Sequence, residues 1–180
     1  LESFKPPRPM PKIFRMLKKG KLSEGIFQGE TINTPSMLAV ADCLDALQWV
    51  ESIGGLKTTI KRSQDSFSKI AAWVEKSDWA DFLAAKPDTR SITSVCLKVK
   101  DTWFAALAND EARANVINDL CKMLEKEKVA YDIKAYRDAP AGLRVWCGAT
   151  VETSDVAALL QWLDWAYASV KEQAKNQKAA

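Results

Sequence analysis

A chain of 180 residues, 47% hydrophobic and 27% charged, is sized for one domain or a little more and has the balance of a globular protein. Its net charge of +3 is too small to imply a partner, and with no histidine it excludes imidazole metal sites and Ser-His or Cys-His nucleophile systems within the chain. No apolar run approaches the ~18 residues of a membrane span, and the cysteines Cys43, Cys96, Cys121 and Cys147 lack the close spacing of a zinc or redox pair, which leaves them as packed thiols.

The chain opens on Leu1 with no leader pattern and runs directly into Lys5-Pro6-Pro7-Arg8-Pro9, so it is expected to come from the middle of a longer sequence. Residues 1–35 read as an irregular arm, because Pro6, Pro7, Pro9 and Pro11 fix φ and remove backbone donors. The arm carries Lys5, Arg8, Lys12, Arg15, Lys18, Lys19 and Lys21 against Glu2 near its start. Such a segment can meet phosphates, yet it lacks the interleaved aromatics of a single-strand platform, and no nucleic-acid partner is expected.

Thr34-Pro35 predicts a helix start, with Thr as cap and Pro at the first helical position. Leu38, Ala41, Leu44, Leu47 and Val50 then follow the helical period, with Asp45 at the edge of the stripe, up to a stop at Gly54-Gly55. A second helix is predicted over about 56–75, with Ile60, Phe67, Ile70, Ala71 and Val74 inward. Residues 77–83 read as a loop or a short turn of helix. Alternation around Val95, Leu97 and Val99 predicts a strand from about Ser91. A helix follows over about 110–127, then a short strand over 129–133 and another around Leu143, Val145 and Cys147. Thr153-Ser154-Asp155 is predicted to cap a last helix, with Val156, Leu159, Leu160 and Leu163 inward. The fold class is therefore α/β: a small three-stranded sheet with helices packed on one face, preceded by long helices that must pack on something. The predicted divisions are an arm at 1–35, connecting helices at 36–89 and a small α/β domain at 90–180.

Three places carry polar residues that a core does not explain. Gly29-Glu30-Thr31-Ile32-Asn33-Thr34-Pro35 gathers amide, hydroxyl and backbone donors at a helix start, which suits either an anion or an ordinary cap. Arg144, between Leu143 and Val145, either reaches solvent or grips a carboxylate through its planar fork. Tyr136-Arg137 precedes a Pro/Gly turn. Arg137 and Arg144 across that turn suit a dianionic ligand, or two solvated arginines.

The segments Gly29-Glu30-Thr31-Ile32-Asn33-Thr34-Pro35-Ser36, Arg90-Ser91-Ile92-Thr93-Ser94-Val95-Cys96-Leu97 and Ala139-Pro140-Ala141-Gly142-Leu143-Arg144-Val145-Trp146-Cys147-Gly148, in this order and spacing, resemble phosphoserine aminotransferase. The similarity runs from about Pro6 to Ala168. The resemblance implies the C-terminal small domain of a fold-type I, class V aminotransferase, cytoplasmic and homodimeric, with pyridoxal phosphate as cofactor. It implies amino transfer between O-phosphoserine with 2-oxoglutarate and 3-phosphohydroxypyruvate with glutamate, in serine biosynthesis. It places Asn33 and Thr34 at the cofactor phosphate across the dimer and Arg144 at the substrate α-carboxylate. Tyr136 and Arg137 stand where a His-Arg pair helps hold the substrate phosphate, with Tyr in place of His. The lysine that holds the cofactor is expected upstream, so no catalytic residue is assigned in this chain, which alone is expected to be inactive. The alternatives are another class V aminotransferase for an unphosphorylated substrate and a non-catalytic α/β binding module.

Overall fold

In the computed structural model, the structure describes residues 7–9, 11, 14 and 16–179, with the side chains of 177–179 excepted. Lys5, Lys12 and Arg15 of the basic arm lie outside the described residues. The chain forms two compact units, Leu1–Ser52 and Ile53–Ala180.

The first unit is less irregular than its proline content suggests. Strands β1 (Leu17–Lys18) and β2 (Lys21–Leu22) pair antiparallel. Lys19 (φ 52) and Gly20 (φ 80) form their two-residue turn, and positive φ at both central positions is what a tight hairpin requires. A 3-10 turn at Glu24–Gln28 follows, closed by Gly29 at φ 89. Helix α1 spans Met37–Ser52. Its cap is Ser36 rather than Thr34: the Ser36 carbonyl accepts from the Val40 amide at 3.1 Å and its hydroxyl from the Ala39 amide at 3.4 Å. No side chain of α1 is buried.

The second unit holds the core. Gly54 (φ 106) and Gly55 (φ 73) adopt the left-handed region that ends one helix and lets α2 (Gly55–Lys76) begin. After α2 come β3 (Ala80–Phe82), β4 (Ser94–Val99), the short α3 (Thr102–Ala105), α4 (Asp110–Lys126), β5 (Gly142–Trp146) and α5 (Thr153–Ala179). The sheet order is β3-β4-β5, antiparallel throughout, with Val95 opposite Val145 and Cys96 opposite Arg144. Ala80, Phe82, Val95, Leu97, Leu143 and Val145 are buried beneath α2, α4 and α5. The alternate positions Asp81, Cys96, Lys98, Arg144 and Trp146 occupy the other face, as the two-residue period of a strand dictates.

Three strands on one helical layer match the predicted class, but their membership differs. The predicted strand at 129–133 is a turn with a single bridge from Lys134 to Leu143. Lys128 (φ 58) and Asp132 (φ 51) are left-handed and break any extended run, while Ala130 and Ile133 still plug the core. The third strand is instead β3, in the segment read as a loop. Its Ala-Asp-Phe sequence has weak strand propensity, and pairing with β4 decides the outcome. Strand β4 starts at Ser94 rather than Ser91, because the Ser91 hydroxyl accepts from the Thr93 and Ser94 amides and forms a local turn. Thr153 opens α5 without capping it; its hydroxyl meets that of Ser66 on α2 at 3.0 Å.

An aromatic and ionic network fixes the α5 side. The Asp164 carboxylate accepts from the indole N–H groups of Trp73 (2.9 Å) and Trp79 (2.8 Å). Trp79 stacks on Tyr167 at 4.2 Å between centroids, and the Tyr167 hydroxyl donates to Asp101 at 3.0 Å. Asp101 also accepts from the Trp103 amide and pairs with Lys171. Burial pushes the Asp101 carboxyl up, but the bonds from Lys171, Trp103 and Tyr167 outweigh it and hold the group below its ordinary value. Burial and the neighbouring Asp101 push the Tyr167 phenol upward.

Candidate functional site

Arg144 sits mid-strand in β5, and neither predicted alternative describes it fully. The alternation Leu143-in, Arg144-out, Val145-in turns its side chain away from the buried positions of β5, one-third exposed, beside a hollow that Asp155 and Leu159 of α5 also line. Its guanidinium neither floats in solvent nor forms a two-pronged grip. One nitrogen, Nη2, meets Asp132 Oδ2 at 3.2 Å. The strand is held in place by its pairing with β4 and by the segment beside it: the Arg144 amide donates to the Ile133 carbonyl at 2.7 Å. Arg144, Asp132, Tyr131 and Trp146 line a hollow of about 310 Å³.

Tyr136 and Arg137 lie in the loop that leads into β5. The Ala135 amide donates to the Gly142 carbonyl at 3.0 Å, closing the loop at its base, and the Ala139 amide donates to the Tyr136 carbonyl at 2.9 Å. Gly142 has to be glycine, since a Cβ there would stand 2.2 Å from the Leu97 carbonyl oxygen. Both Tyr136 and Arg137 are exposed, and Arg137 has no ion-pair partner among the described residues. They line a second hollow of about 690 Å³ together with Lys98, Arg113 and Lys134. Arg113 is committed elsewhere, to Asp110 at 2.7 Å and to the carbonyls of Ala105 and Leu107. Lys98 pairs with Asp81 at 3.2 Å. Burial raises the Asp81 carboxyl, yet the Lys98 bond, the Phe82 amide and the charges of Lys98 and Lys100 leave it below its ordinary value. Arg137 and Arg144 therefore line two different hollows of this unit.

Asn33 and Thr34 belong to the first unit. They are exposed, in the irregular stretch just before α1, and have no hydrogen-bond partner among the described residues. An amide and a hydroxyl beside a helix start are donors of the kind a phosphate takes. Lys98 is 42% exposed and ion-paired, and Lys171 is committed to Asp101. Burial pushes the Cys121 and Cys147 thiols up to about 11, which suits them to packing rather than to nucleophilic work, whereas Cys43 and Cys96 are exposed and not packed as expected. Among the described residues there is no group of three or more His, Cys, Asp or Glu side chains arranged to hold a metal, and no helix long and apolar enough to cross a membrane.

Two residues of this region escaped the sequence reading. Asp132, the counter-ion of Arg144, lies in a segment read as strand, where its carboxylate has no predicted partner. Arg62 on α2 donates to the Ala149 carbonyl at 2.7 Å and pairs with Glu152 at 2.5 Å, tying the loop after β5 to the helical layer. That link depends on residues about ninety positions apart, and no local pattern announces it.

No family model matches the chain. Curated relatives do. The phosphoserine aminotransferase of Methanosarcina barkeri is 53% identical over 171 residues, and that of Methanosarcina mazei is 51% identical over the same length. Each match takes in 95% of this chain and 43% of the relative, so the chain spans less than half the length of these proteins. Among solved structures, the phosphoserine aminotransferase of Bacillus circulans subsp. alkalophilus superposes with a TM-score of 0.62 at 20% identity, over 76% of this chain and 34% of that one. The pyridoxal-phosphate-bound phosphoserine aminotransferase of Trichomonas vaginalis gives 0.61 at 20% identity, over 77% and 36%. The fold is thus that of the matching part of phosphoserine aminotransferases, and the sequence is similar to theirs along nearly all its length.

Proposed function

We infer from this likeness that the chain is the C-terminal portion of a phosphoserine aminotransferase. The whole enzyme would move an amino group between O-phosphoserine with 2-oxoglutarate and 3-phosphohydroxypyruvate with glutamate. It would act in serine biosynthesis, as a cytoplasmic homodimer. The observation that carries the reading is the 53% identity sustained over 171 residues. The geometry supports it through Arg144, a partly exposed cation anchored in a paired strand with most of its fork unused.

In this reading Arg144 binds the α-carboxylate common to every substrate of the reaction, because a planar guanidinium matches a carboxylate with two parallel bonds. Arg137, exposed and unpaired in its loop, takes the phosphate that only phosphoserine and its keto acid bring. Tyr136 lines the same hollow and offers a phenolic hydroxyl where the family has an imidazole. Pyridoxal phosphate supplies the electron sink for the amino-group exchange. Asn33 and Thr34 would hold its phosphate. The lysine that retains the cofactor would come from the part of the relatives that this chain does not match. The domain reading that goes with this is an arm ending at the cofactor, a connecting helical segment and a small domain carrying the substrate arginines.

Arg137 separates this reading from an aminotransferase for unphosphorylated substrates. In the enzyme assembled at the full length of its relatives, Arg137→Ala should weaken phosphoserine by roughly ten- to a hundredfold in kcat/KM, the value of a hydrogen bond to a charged group. Glutamate should change by less than about threefold on the same scale. Equal losses for the two substrates would remove the phosphate from this loop.

A further inference from the structure

The pairing of Arg144 with Asp132 has a construction that goes beyond a chance surface contact. Residues 133–135 are stitched to β5 by the Arg144 amide on the Ile133 carbonyl, the bridge from Lys134 to Leu143, and the Ala135 amide on the Gly142 carbonyl. Asp132 stands at the head of this stitched segment with φ 51. Asp tolerates that left-handed conformation better than most residues. The result is a carboxylate delivered to Arg144 from the adjacent backbone.

The contact is nevertheless a weak one by design of its geometry. It is a single bond from Nη2 to Oδ2, and Nε and Nη1 have no partner among the described residues. The Asp132 side chain is 88% exposed, so water replaces the guanidinium at little cost when it swings away. Asp155 lines the same hollow but makes no bond to Arg144.

We propose that Asp132 is a resident counter-ion that competes with the substrate carboxylate for Arg144, so that carboxylates bind here by exchange. This rests on the reading of Arg144 as the carboxylate site. The one-bond partner satisfies the arginine while no substrate is present. A ligand carboxylate able to make two parallel bonds to the fork displaces it. Anions that make only one contact gain nothing over Asp132, which makes the pair a filter for carboxylates held at a second point as well.

The test uses the full-length enzyme and glutarate, which has the two carboxylates of glutamate but no amino group and so binds without reacting. Titration calorimetry compares the parent with Asp132→Asn, Asp155→Asn and Arg144→Lys. Asn keeps the left-handed backbone and removes the competing charge, so Asp132→Asn should tighten glutarate by about two- to fivefold, the strength of an exposed pair. The KM for glutamate should fall in parallel while kcat stays within about twofold of the parent. Asp155→Asn makes the same charge change in the same hollow without touching Arg144, and glutarate binding should move by less than about twofold. Unchanged or weaker binding in Asp132→Asn overturns the exchange, as does equal tightening in Asp155→Asn, which would mean a general field effect. Arg144→Lys should weaken glutarate. If it does not, the underlying assignment of Arg144 falls and the exchange falls with it.

Discussion

The two units of this chain treat similar apolar patterns in opposite ways. In the second, Ile70, Leu120 and Leu163 on α2, α4 and α5 are fully buried. In the first, Leu38, Leu44 and Leu47 on α1 remain 72%, 54% and 57% exposed. Helical periodicity is present in α1, α2, α4 and α5 alike, so periodicity alone does not say whether a helix has a partner. The difference lies in the supply of a second surface. The second unit brings its own sheet, and the first has a two-strand hairpin and a turn. A 16-residue helix lies near the length at which helices are marginal in water, so the packing that α1 lacks in its own unit matters for its persistence. The candidate site residues divide along the same line. Arg137 and Arg144 ride on a packed scaffold, whereas Asn33 and Thr34 sit in an irregular stretch.

Core truncation should expose this contrast most strongly. Leu120→Ala, at a fully buried position, should cost about 2–5 kcal/mol in urea unfolding. Leu44→Ala on α1 should cost under about 0.5 kcal/mol in the same chain. Similar costs at the two sites would mean that α1 is packed after all.

A smaller effect should mark the network that joins α5 to the rest of the second unit. Tyr167→Phe should lower stability by about 1 kcal/mol near neutral pH, the net value of one hydrogen bond. The phenol is raised in the folded state, so its contribution is whole below the ~10 of a free tyrosine and is lost as pH rises above it. Asp101 is held low, so its contribution is present above about 3.9 and is lost as pH falls through the folded value. The gap between parent and Tyr167→Phe in thermal melts should therefore narrow at alkaline pH. A gap independent of pH would assign the loss to packing.

The same comparison separates what was legible in the residues from what was not. Helices α2, α4 and α5 and the inward faces of β4 and β5 followed from spacing, because each presents one continuous apolar stripe to one core. Strand β3 did not, since Ala80 and Asp81 are poor strand formers that pair only because β4 lies beside them. The false strand at 129–133 came from real alternation of Val129, Tyr131 and Ile133. Left-handed backbone at Lys128 and Asp132 defeats it, and side-chain type does not encode that turn strongly. At the site, Arg144 stood out as a charge inside an apolar strand. Its partner Asp132 was invisible, because the contact depends on the bridge between Lys134 and Leu143.

The carboxylate-binding role proposed for Arg144 is open to one direct assay. Glutamate formation from O-phosphoserine and 2-oxoglutarate is measured with the full-length enzyme and its Arg144→Lys variant. Lysine offers a point charge where the carboxylate needs a planar fork. The variant should lose about 2–5 kcal/mol, roughly thirtyfold to several thousandfold in kcat/KM, for both substrates if Arg144 holds their carboxylates. An unchanged kcat/KM for both would contradict it.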